Sequence, residues 1–220
     1  MFSTLFKKKV SEKKTAEYFI HNTIQAVDNS FDALCDVIEA DSTFVSQPDM
    51  KSQGSDKMLI MVLAANMDII PNHFESYKDR RITNFCYRAL AASFDLPEKD
   101  IQTLISNTQK FLKSVNKPSK NTLYSLSKGV FYKYNLNNSQ ESYFKNMKNP
   151  NPILLKNLDE VMSRFLWDWS EITDKYNITQ RWSFFMWILS LNFSSVLFWI
   201  TFAENILIYE KNSHHRYFYF

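Results

Sequence analysis

The sequence predicts an all-α protein: a multi-helix domain of orthogonal or bundle-like packing, followed by a hydrophobic C-terminal helix. Three observations carry this expectation. Apolar residues recur at helical spacing over most of the chain. No stretch alternates apolar and polar residues over a useful strand length. Only two Gly and six Pro occur among 220 residues, which argues against collagen-like, linker-like and turn-rich all-β chains. A chain of this length can bury a real core, as one domain or one domain plus an appendage.

The elements follow in order. Ala16, Ile20, Ile24, Val27, Phe31, Leu34, Cys35 and Ile38 form one stripe at 100° per residue, with Ser11 as N-cap and Glu12 in the first turn. Residues 42–54 contain Pro48 and read as a loop. An apolar run over 58–70 stops at Pro71. A helix over 75–94 turns Ile82, Phe85, Cys86, Ala89 and Leu90 inward. Pro97 restarts the chain in a first helical turn, and Ile101, Leu104, Ile105, Thr108, Phe111, Leu112 and Val115 continue at helical spacing. After a turn at 116–119, the pattern predicts helices over 122–134 and around 140–146. Pro150 and Pro152 then break the chain before one long helix from Ile153 to about Tyr176. The body, 1–179, therefore reads as six to eight packed helices.

The segment 180–220 differs in composition. Residues 182–203 are 22 consecutive positions without a charge, long enough to cross ~30 Å of hydrocarbon. Trp182, Phe185, Trp187, Leu191, Leu197 and Trp199 are its candidate membrane-contacting residues, with Trp near both ends as in aromatic belts. Asn192 at its centre suits the competing reading, a helix buried in the fold or covered by a partner. An added tail foreign to the natural fold is the third. The opening residues, with Lys7, Lys8 and Lys9 after a short apolar start, do not form a signal peptide. The expected location is cytoplasmic, with membrane association through the C-terminal helix.

Net charge is +3, but its distribution is uneven. Residues 1–108 carry 12 basic and 15 acidic side chains, and 157–220 carry 5 and 7. Between them, 109–156 hold nine Lys against Glu141 alone. Such asymmetry steers anionic partners. Lys113, Lys117, Lys120, Lys128 and Lys133 are the candidate contacts. Aromatic residues interleave with them, which suits nucleic acid or an anionic membrane surface. The absence of Arg in the block weakens base reading, because bidentate guanine contacts favour Arg. The bland alternative is a solvated face.

Within this block, Ser119-Lys120-Asn121-Thr122-Leu123-Tyr124 resembles the start of the recognition helix in TetR-type repressors. The resemblance spans six residues. That family carries this helix near the N-terminus, and Lys113 and Lys117 stand where it usually has Ala and Gly. It implies two helices crossing here at a helix-turn-helix angle, and it does not amount to membership.

Chemistry-bearing motifs are absent from the sequence. Gly54 and Gly129 stand alone, so neither a P-loop nor a dinucleotide fingerprint exists. There is no His-Glu-x-x-His, Cys-x-x-Cys or Gly-x-Ser-x-Gly pattern. The sequence thus points to no catalytic residue, metal ligand or cofactor. Cys35 and Cys86 sit on apolar stripes as small core residues. Glu17, His21, Gln25, Asp28, Asp32 and Glu39 line one flank of the first helix, a solvated face or a match for the chain's own Lys block. Trp167, on the predicted long helix, falls opposite Leu158 among polar residues. It is expected to be covered by another segment or to act as a partner-binding anchor.

The expected function is a non-catalytic helical interaction module, tethered by 182–203 where that run meets a membrane. Its basic segment would face an unknown protein partner, another anionic surface or lipid headgroups. A nucleic-acid-binding helical protein and an enzyme without a visible motif are the alternatives.

Overall fold

A computed structural model describes residues 7–117 and 119–180. The residues up to Thr179 form one compact unit. The chain order is β1 (Lys8–Ser11), α1 (Glu12–Glu39), α2 (Asp56–Asp68), α3 (Ser76–Phe94), α4 (Glu98–Val115), α5 (Thr122–Lys133), α6 (Ser142–Met147), α7 (Pro152–Met162), α8 (Trp169–Lys175) and β2 (Tyr176–Thr179). The described residues are all-α apart from one small two-stranded sheet. Among the described residues no helix is long and apolar enough to cross a membrane. The run 182–203 lies outside the described residues.

The helix starts follow from local chemistry. Ser11 is extended and its hydroxyl oxygen accepts the Lys14 N–H at 3.1 Å, so it caps α1. Asn121 caps α5 through the Tyr124 N–H, and Asn151 caps α7 through the Ile153 N–H. α3 ends at Asp95, whose φ of 52° turns the chain in the left-handed region.

α2 is apolar around its circumference, and such a helix must be enclosed. Every residue over 61–67 is buried, and α1, α4 and α5 pack around it. α1 lays its stripe against α3. Ile101, Ile105 and Leu112 turn α4 inward, whereas Leu104, expected in that stripe, lies on its flank and is exposed. Gly129 lets α5 approach closely: a Cβ there would stand 2.7 Å from Leu112 Cδ2 and 3.0 Å from Met61 Sδ. The Tyr134 hydroxyl then donates to the Gly54 carbonyl at 2.8 Å and accepts the Met58 N–H at 3.2 Å, fixing the end of α5 to the start of α2.

Two expectations are corrected. First, the predicted helix over 153–176 is broken. α7 stops at Met162, a 3₁₀ turn follows, and Leu166 is extended before Asp168 caps α8 through the Glu171 N–H. Buried Asn66 imposes the break. Its side-chain amide donates to the Phe165 carbonyl at 2.8 Å, its Oδ1 accepts the Trp167 N–H at 2.7 Å, and its carbonyl accepts the Trp169 indole N–H at 3.2 Å. Trp169 thereby enters the core, fully buried against Phe19 and Phe74.

Second, strands exist. β1 and β2 pair in parallel, with Lys8 opposite Tyr176 and Ser11 opposite Thr179. Four-residue strands are too short to show alternation. The Glu12 carboxylate at the β1–α1 junction is 1% exposed and receives both Arg81 Nε (2.7 Å) and Nη2 (2.8 Å) from α3. This bidentate geometry is what keeps a buried carboxylate tolerable.

Candidate functional site

The lysine-rich segment divides between separate places on the fold. α4 carries Lys113 in its last turn, and the chain then crosses 116–121 to α5. Asn116 ends α4, its N–H donating to the Leu112 carbonyl and its side-chain amide donating to the Asn121 carbonyl at 3.1 Å. The Ser119 hydroxyl oxygen accepts the Asn121 N–H at 3.1 Å. These bonds shape the crossing so that Lys117 and Lys120 are exposed beside Lys113.

The result is a groove of about 410 Å³ between α2, α4 and α5, lined by Asp68, Lys113, Lys117, Ser119, Lys120 and Thr122 among others. Lys113 Nζ meets Asp68 Oδ1 at 2.6 Å. Lys117 and Lys120 have no carboxylate partner among the described residues. The N-terminus of α5 adds partial positive charge at the same edge. Asn116 is 8% exposed, and its Oδ1 has no hydrogen-bond partner among the described residues. Lys117, Lys120 and the helix terminus attract an anionic group, whereas the Asp68 carboxylate and the Asn116 Oδ1 are acceptors that call for a donor. Among the described residues the groove presents no nucleophile–base pair: the Ser125 hydroxyl donates to the Thr122 carbonyl, and no described His lines the groove.

The remaining candidate lysines lie elsewhere. Lys133 Nζ stands 4.7 Å from the Phe111 ring centre, and Lys128 Nζ stands 4.7 Å from that of Tyr124. Lys128 lines a second groove, of about 440 Å³, with Tyr124, Pro150, Pro152, Leu155 and Lys156.

Trp167 does not stand on the polar face of a helix, because the helix that would have placed it there is broken. It is half-buried, with its ring edge-on to Tyr18 (5.8 Å) and Phe19 (5.4 Å) of α1 and beside Trp169. The chain itself covers part of it, chiefly through α1. The acidic flank of α1 does not meet the Lys block either. Asp36 pairs with Lys51, Glu17 with Lys13, and Glu39 accepts the Met50 N–H at 2.7 Å. Trp182, Phe185, Trp187, Leu191, Leu197 and Trp199 lie outside the described residues.

The link between α4 and α5 also bears on the repressor-like hexapeptide. It holds six residues, 116–121, against the 3–4-residue turn of a helix-turn-helix. Half of α5 is buried, and it packs on α2, α4 and α7. A recognition helix must keep its reading face free for the major groove, and α5 spends that surface on the core.

Sequence reasoning missed Asp68, Asn116 and Ser119. The one local signal was polar residues closing a helix beside lysines. Asp68 is separated from Lys113 by 45 positions, and only the packing of α2 on α4 brings them together.

No protein-family model, curated protein or solved structure matches this chain. The functional reading therefore rests on the geometry.

Proposed function

We propose that the chain is a non-catalytic helical interaction module whose basic segment engages an anionic partner, with 182–203 as its tether where that run meets a membrane. One observation carries the reading: Lys117 and Lys120, exposed and without carboxylate partners among the described residues, share a groove with the α5 N-terminus. Ammonium groups so placed attract phosphate or carboxylate groups more strongly than scattered surface lysines do. The proposed location is the cytoplasmic side of a membrane or the cytoplasm.

The test is co-sedimentation of the full chain with membranes and with protein partners at low and high salt. Binding at low salt, weakened at high salt and by Lys117→Glu with Lys120→Glu, supports the reading. A chain that pellets with neither membranes nor a partner refutes it. Binding to duplex DNA but not to anionic vesicles transfers the same lysines to a phosphate-backbone role.

A further inference from the structure

Large apolar side chains left in water cluster on one part of the basic segment. Nine such residues are exposed among those described, and three of them fall within eleven positions: Tyr143 (63%), Met147 (52%) and Ile153 (62%). Tyr143 and Met147 are four residues apart on α6 and share a face. From 142 to 158 the only charged side chains are Lys145, Lys148 and Lys156, all exposed. Lys148 and Lys156 have no carboxylate partner among the described residues. Asn149 and Pro150, directly after Lys148, line the second groove, as do Pro152 and Leu155 on either side of Ile153. That groove also presents Lys128 and Lys156 beside the Tyr124 ring, with one carboxylate, the half-buried Asp159, at its inner wall.

The backbone bearing these side chains is held firmly. Gln140 is 2% exposed; its amide donates to the Asn149 carbonyl at 2.9 Å, and its Oε1 accepts the Asn151 N–H at 2.6 Å. The Tyr132 hydroxyl donates to the Lys148 carbonyl at 3.1 Å, and the Asn137 amide donates to the Lys145 carbonyl at 3.2 Å. The carbonyls of Lys145, Lys148 and Asn149 are thus bonded by the protein's own side chains, while Tyr143 and Met147 on α6 are exposed.

We infer that this surface, 143–156 with Lys128, docks on an anionic lipid bilayer. Met147 and Ile153 enter the acyl boundary, Tyr143 sits at headgroup level, and Lys128, Lys148 and Lys156 meet lipid phosphates and carboxylates. Exposed apolar side chains and unpaired ammonium groups along one short stretch match the layering of such a bilayer, apolar beneath and negative at its face. A soluble acidic protein could meet these groups only with an apolar patch of matching shape, whereas a bilayer offers both layers to any surface of this composition. The inference rests on the proposed anionic-partner reading and names that partner.

The experiment uses the full chain and two vesicle types: phosphatidylcholine alone, and phosphatidylcholine with about 30% phosphatidylserine. Preferential binding to the anionic vesicles is expected, falling about tenfold or more between ~0.1 and ~0.5 M salt. Tyr143→Ser with Met147→Ser and Ile153→Ser should weaken it about tenfold. Lys148→Glu with Lys156→Glu should do the same, and both variants should keep the parent melting temperature because all these side chains are exposed. Equal binding to both vesicle types by parent and variants overturns the inference and assigns attachment to another segment. Anionic binding lost only with Lys117→Glu and Lys120→Glu also overturns it, while leaving the broader proposal standing.

Discussion

The side-chain oxygen of Asn66 accepts the backbone N–H of Trp167 at 2.7 Å, across 101 positions of sequence. The same amide reaches the Phe165 carbonyl, so one buried residue of α2 closes the gap in the helical ladder between α7 and α8. Asn66→Ala should strip partners from an N–H and a carbonyl at once, at a cost of about 3 kcal/mol. Urea denaturation followed by Trp fluorescence measures it. Asn66→Asp is the informative companion, since it keeps the acceptor for Trp167 and loses the donor to Phe165. A neutral Asn66→Ala would show that α8 docks without the clip.

Gly129 sets the spacing of α5 against α4. Gly129→Ala would gain about 1 kcal/mol of helix propensity, but its methyl meets Leu112 Cδ2 at 2.7 Å. Overpacking of this kind costs about 1–3 kcal/mol, so a net loss of about 1 kcal/mol is expected. Leu112→Ala made alone leaves a cavity, whereas the double variant should be more stable than the sum of the singles predicts. Simple additivity in thermal unfolding would rule out this contact as the cause.

Alkaline pH should erode stability. Burial, aided by the neighbouring carboxylates of Glu39 and Asp32, pushes the Cys35 thiol up to about 12. Burial likewise raises Cys86 and the Tyr134 phenol. These acids hold their protons more tightly folded than unfolded. Their contribution is complete below the unfolded values, roughly 8.5 for Cys and 10 for Tyr. It is lost as pH rises from there through the folded values. The melting temperature should fall steadily above about pH 9, and Cys35→Ala should flatten the early part of that fall. Both thiols should resist a thiol reagent at pH 8 until the chain is unfolded. Rapid native labelling of either would contradict their burial.

The expected and observed structures agree where information is local. The stripe from Ala16 to Ile38, the Ser11 cap, the stop before Pro71 and the restart at Pro97 all depend on residues within one or two helical turns of each other. Helical hydrogen bonds span four residues, and side chains three or four apart share a face. The candidate site was legible to the same depth. The lysines stood out by composition, and the turn at 116–119 was marked by its Asn, Pro and Ser.

What the chain by itself determined is therefore its helical class, most helix boundaries, the segregation of charge and the lack of catalytic motifs. Tertiary structure decided which lysines converge, giving Lys113, Lys117 and Lys120 one groove and leaving Lys128 and Lys133 against rings elsewhere. It also decided that Trp167 packs half-buried against α1, that β1 and β2 pair, and that Glu12 is buried against Arg81. Each of these joins residues from separate helices or from opposite ends of the unit. Their partners are chosen by how whole faces pack, a relation that no local period in the sequence carries.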